Sequence, residues 1–80
     1  MANETAAQIA AHYAALGDSV DLINGINGGT EHQQLSDAEK QTAVDRNVEH
    51  LELMKTRDYW TSESFTAVDA AIVTGKAYSP

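Results

Sequence analysis

Eighty residues carry five Lys and Arg against twelve Asp and Glu, a formal charge of -7, with no cysteine and one proline. Those figures exclude a disulfide framework and a thiolate metal site, and no run of about 18 apolar residues is present to span a membrane. The acidic start is not expected to act as a signal peptide, and the negative balance argues against nonspecific binding to DNA, RNA or anionic lipid.

A first helix is predicted over residues 3–24. Ala2, Ala6, Ile9, Tyr13, Leu16, Val20 and Ile23 follow one another at alternating steps of four and three, a stripe with heptad spacing. Its early positions are mostly alanine, so the first two turns can lie close to another backbone. The phase runs on through Gly17, Asp18 and Ser19, which favours one helix over two. Gly25 is the expected C-terminal cap. Residues 25–35 hold three glycines and no periodicity and read as a mobile connector, with Ile26 the side chain expected to be anchored.

The second helix, predicted over 37–59, has the clearest local signature. Ser36 and Glu39 form an S-x-x-E capping box, and Asp37 is favoured in the first turn. Val44, Val48, Leu51 and Met54 make its buried stripe, flanked by Leu53. Arg46 is expected to reach Glu49, and Lys55 to reach Glu52 or Asp58. A third helix over 62–74 starts at Thr61 or Ser62, presents Phe65, Val68 and Ile72, and ends at Gly75. With Thr61 as cap, Trp60 and Phe65 occupy the positions of a hydrophobic staple that would fix a corner between helices two and three. Tyr78 is the candidate anchor of the tail.

The fold class expected is all-α: one domain over 1–80, built as an antiparallel two-helix hairpin plus a shorter third helix, a flexible connector and a C-terminal tail. Twenty-one side chains are large and apolar and thirteen more residues are alanine. In a domain this small, apolar burial usually only just offsets an ordering cost of roughly 1.5 kcal/mol per residue. Folding is therefore expected to be helped by assembly, with copies of the chain or with a larger structure.

Candidate chemistry is sparse. Asp45, Glu49 and Glu52 share one side of helix two, with His50 adjacent, but the Glu-x-x-His spacing of carboxylate-bridged metal sites is missing and a solvated acidic face is the reading adopted. His12, His32 and His50 fall on three different segments, which sets up no zinc site. The serines lack a nucleophile-elbow context, and Ser36 and Ser62 are explained as caps. Gly25, Gly28 and Gly29 have neither the preceding strand nor the following Lys of a phosphate loop. No catalytic, cofactor-binding or metal residue is assigned, and the chain is expected to be a non-enzyme. Tyr59 and Trp60 carry binding character, adjacent large aromatics being enriched in interfaces; closing the corner against Phe65 remains open for Trp60. The protein interface expected comprises Ile9, Tyr13, Leu16, Val20, Tyr59 and Trp60. Charge is unevenly placed: residues 1–39 hold six acids and no Lys or Arg, while 40–80 hold six acids and five bases.

The stretch RNVEHLELM (Arg46 to Met54), followed by DYWTSESFTAVDAAI (Asp58 to Ile72) and TGKAY (Thr74 to Tyr78), resembles small uncharacterised proteins encoded by tailed bacteriophages, particularly those of marine and cyanobacterial hosts. The likeness covers about the last 35 residues and carries no functional residues to transfer. It implies a short acidic helical protein present in many copies in the virion, assembled in the host cytoplasm. Its expected partners are other virion proteins of capsid, neck or tail, or copies of itself, with no direct contact to nucleic acid or membrane. The alternative is an acidic phage-encoded regulator that binds a host or phage protein, as a mimic of nucleic-acid charge.

Overall fold

A computed structural model of the protein describes residues 6–57 and 65–80, with the backbone alone described at Ile9. The described residues are all-α, in three helices: α1 (Ala6–Gly28), α2 (Asp37–Met54) and α3 (Thr66–Ala77).

Alanines at 6, 7, 10, 11, 14 and 15 give the start of α1 high intrinsic helix propensity. The helix passes Gly17 without interruption and also passes Gly25, where the sequence predicted its end. It continues because Ile26, three residues beyond Ile23, prolongs the buried stripe; the two are 3% and 0% exposed. The stop comes at Gly29, whose φ of 73° lies in the left-handed region. There the Thr30 N–H donates to the Gly25 carbonyl (2.9 Å) and the Gly29 N–H to the Ile26 carbonyl (3.2 Å). These are the paired bonds of a Schellman motif, which satisfy carbonyls the helix end would otherwise orphan. The connector is correspondingly shorter than predicted, and His32 turns it with a φ of 57°.

The capping box predicted for α2 is formed. The Glu39 N–H donates to Ser36 Oγ (3.1 Å) and the Ser36 N–H to Glu39 Oε1 (2.8 Å). Val44, Val48, Leu51 and Met54 are its buried residues, as the stripe required. α2 ends at Met54, short of the predicted boundary. The Thr56 and Arg57 N–H groups donate to the carbonyls of Leu53 and Met54, three residues back, and the Thr56 hydroxyl also donates to the Leu53 carbonyl. Such bonds tighten and close a last turn. Residues 58–59 of the predicted helix, the caps Thr61 and Ser62, and Trp60 of the staple lie outside the described residues.

α3 does not stop at Gly75 but runs through it to Ala77. Gly75 is buried there as the contact point of three helices. A Cβ built on it would overlap the Val48 side chain and lie 3.4 Å from Val44 Cγ1 and 3.5 Å from Ile23 Cγ2. With Val68 and Ala71 it forms the stripe that α3 turns inward. The core comprises Leu16, Val20, Ile23 and Ile26 of α1, the four buried residues of α2, and Val68 and Ala71 of α3, with Tyr78 packed partly against it. Leu16 is the first α1 residue to enter it; none of the side chains described over 6–15 is buried.

Two glycines within helices should therefore respond oppositely to alanine. Gly75→Ala inserts a methyl where none fits and is expected to destabilise by about 1–3 kcal/mol. Gly17→Ala adds a Cβ into open space and should stabilise by about 0.5–1 kcal/mol through helix propensity. Urea titrations followed by helical circular dichroism check both; a Gly75→Ala protein as stable as the parent would refute the packing described.

Candidate interaction surface

The residues assigned to an interface from sequence have three outcomes. Leu16 and Val20 are 3% and 9% exposed and belong to the chain's own core, so most of their surface is covered internally. Tyr13 is half-buried. The Ile9 side chain, Tyr59 and Trp60 lie outside the described residues. Tyr13, Leu16 and Val20 do come together: with Gly17 and Asp21 of α1 and Ala67 and Val68 of α3 they line an open depression of about 270 Å³.

Polar groups of α2 are engaged in contacts within the chain. Ser19 is the buried polar residue of α1, 5% exposed, and its Oγ lies 2.8 Å from His50 Nδ1. A bond there joins α1 to α2 in either imidazole tautomer. The spacing of Ser19 between Leu16 and Ile23 on the α1 stripe was the available signal for its burial. The carboxylates of α2 have separate partners: Gln41 donates to Asp45 at 2.9 Å and Lys76 pairs with Glu52 at 2.8 Å. Among the described residues no three His, Cys, Asp or Glu side chains are grouped to hold a metal ion.

Among the described residues the ion pairs are not the expected Arg46–Glu49 and Lys55–Glu52; Asp58, the other partner expected for Lys55, lies outside the described residues. Lys55 pairs with Asp69 of α3, while its ammonium also lies 5.6 Å from the centre of the Phe65 ring. Lys55–Asp69 and Lys76–Glu52 thus bridge α2 and α3 along a groove that Ile72 and Val73 line. The expected Arg46–Glu49 pair is absent from the described ion pairs. Local spacing suggested it, but the pairs formed are those of Lys55, at the end of α2, and Lys76 of α3, each matched across helices.

Sequence reasoning also missed the outer face of α2. Leu35, Ala38, Glu39, Thr42, Ala43 and Arg46 line an open, mainly apolar groove of about 400 Å³ on the side away from the core stripe. Leu53, seven residues beyond Arg46 and therefore on the same face, is 58% exposed. The signal was the phase of Leu35, Thr42, Arg46 and Leu53, about half a turn from Val44. At the groove's start, the Ser36 backbone N–H and then the Ser36 hydroxyl interaction hold the Glu39 carboxyl below its usual range.

No helix among the described residues is long and apolar enough to cross a membrane. Compared with known proteins, the chain matches no family model, no curated protein and no solved structure.

The lowered pKa of Glu39 couples the α2 cap to pH. A carboxyl with a folded pKa below its unfolded value stabilises the fold above the unfolded pKa, and that contribution is lost as pH falls through the folded one. Glu39→Gln should therefore be less stable than the parent near neutral pH. The gap should close well below the ordinary Glu pKa of about 4.3. Urea unfolding at the two pH values measures this, and a gap independent of pH would disprove the linkage.

Proposed function

We propose that this chain is a non-enzymatic accessory protein of a phage virion, present in many copies and docking on capsid, neck or tail through apolar helix faces. The observation that carries the docking reading is the pair of large apolar side chains left outside a small core: Leu53 is 58% and Val73 69% exposed. Leu53 lies on the face of an open, mainly apolar groove, and Val73 lines an open groove with Ile72 beside two ion pairs. The resemblance of the stretches from Arg46 to Tyr78 to small tailed-phage proteins supports the virion as the setting. Of the interface residues proposed from sequence, Tyr13 keeps surface to offer among the described residues; Ile9, Tyr59 and Trp60 stay in the proposal on the sequence alone.

The same reading takes α1 and α2 as an antiparallel hairpin. Ser19 meets His50, while Ile23, further along α1, sits near Gly75 beside Val44 and Val48. Rising numbers on α1 thus go with falling numbers on α2, as an antiparallel pair requires.

The charge pattern favours one second reading, the acidic regulator. Asp18, Asp21 and Glu31 are exposed in a half of the chain without Lys or Arg, whereas Glu52 and Asp69 are matched by lysines. A charge mimic would lose partner affinity steeply with salt; apolar docking would not.

Quantitative mass spectrometry of purified particles of the encoding phage is the deciding experiment. The chain should be present at tens of copies for a neck or tail component or hundreds for a shell component, rough expectations from assembly symmetry. Its absence from intact particles would overturn the virion reading.

A further inference from the structure

We propose that the outer face of α2 is a self-association surface, on which a second copy of this chain docks antiparallel about a two-fold axis. This goes beyond docking on a larger assembly and does not depend on the virion reading.

The argument is one of self-complementarity. In a two-fold interface, if residue i of one copy meets residue j of the other, then j also meets i. Glu39 and Arg46 are exposed along the apolar groove, on either side of Thr42 and Ala43. They stand seven residues apart on one face, about 10 Å along the helix axis. Two such helices laid antiparallel, with the axis beside Thr42 and Ala43, place Arg46 of each copy against Glu39 of the other. Neither side chain has an ion-pair partner among the described residues. Glu39 gives Oε1 to the Ser36 N–H, which leaves Oε2 for a guanidinium.

The middle of the face suits close approach, since Ala38, Thr42 and Ala43 are small. The same register carries the exposed Leu53 of each copy past the start of the other's α2, on the side where Leu35 lines the groove. One arrangement thus covers the groove and pairs two charges. α2 is about 27 Å long, and a single helix face of that length falls below the area of a tight interface. The dimer expected is therefore weak and concentration-dependent.

Sedimentation equilibrium of the full chain from about 10 μM to about 1 mM, the range suited to so small a face, tests this. The apparent mass should climb from the 8.6 kDa monomer towards twice that value. Arg46→Glu sets Glu against Glu across the axis, and Glu39→Lys sets Lys against Arg. Each variant alone should self-associate about tenfold more weakly or worse, yet an equimolar mixture should associate again, because every pair is then opposite in sign. Thr42→Lys, which leaves the capping box intact, should also abolish association by placing two ammonium groups beside the axis. Circular dichroism verifies that each variant is helical, and Thr42→Lys with Arg46→Glu carries the test if loss of the capping box unfolds Glu39→Lys. A parent that stays monomeric at 1 mM, an Arg46→Glu protein that associates like the parent, or folded single variants that fail to rescue each other would overturn the proposal. None of these outcomes bears on whether the chain is found in particles.

Discussion

At Gly75 the backbone of α3 lies close enough to Val48 that a methyl group cannot be placed between them, with Val44 and Ile23 at van der Waals distance on either side. Among the described residues the three largest fully buried side chains are Ile23, Leu51 and Val44, two of which border this point. The placement of α3 follows from that approach. It sets the depth at which α3 lies against the helix pair, and so brings Val68 and Ala71 into the core. It also brings Asp69 within reach of Lys55 and Lys76 within reach of Glu52. With so few buried side chains, the fold depends on close backbone approach as much as on apolar bulk, because dispersion falls off within an ångström of lost contact.

The elements that could be read from the sequence are those whose physics is local. The α2 start needs only Ser36 and Glu39 at the right spacing, and its inward face needs only Val44, Val48, Leu51 and Met54 on one side of a helix. Glycine defeated the same reasoning because it has two unrelated uses. Gly25 and Gly75 were both predicted to end helices, and both are buried inside them. The true stop, Gly29, is the residue placed where a Schellman motif needs positive φ. A glycine used for close approach cannot be recognised without knowing what approaches it, and Val48 lies 27 positions away. The interface assignment was limited in the same way. The stripe through Tyr13, Leu16 and Val20 shows that a face is covered, but not whether the cover belongs to the same chain; for Leu16 and Val20 it does.

Charge divides the molecule along different lines from packing. On α2 and α3, Glu52 and Asp69 are met by lysines across the helix boundary, whereas Asp18, Asp21 and Glu31 are exposed in a half that has no Lys or Arg. Exposed pairs such as Lys76–Glu52 contribute about 0–1 kcal/mol, so they serve register more than stability. A formal charge of -7 on each copy makes two copies repel at a distance, but at physiological salt that repulsion is screened beyond about 8 Å. Contact between copies is then decided by the short-range detail of the touching faces rather than by net charge.

That places weight on the ordering of the outer α2 face before anything meets it. Glu39 is held by the Ser36 N–H through one carboxylate oxygen, and its own N–H is fixed by the Ser36 hydroxyl. A side chain already restrained in this way surrenders less conformational freedom on binding than a free glutamate would, a cost of about 0.5–1.5 kcal/mol per immobilised side chain. The bond that starts the helix therefore also presets one half of a charge pair at its surface. Stiffness transmitted from the core completes the effect, since Val44 and Val48, which carry the inward face, are the same residues that Gly75 clamps from the other side. Glu39, Thr42 and Arg46 keep their alignment because all three stand on this one helix, and the packing of α2 fixes the direction in which that aligned face points.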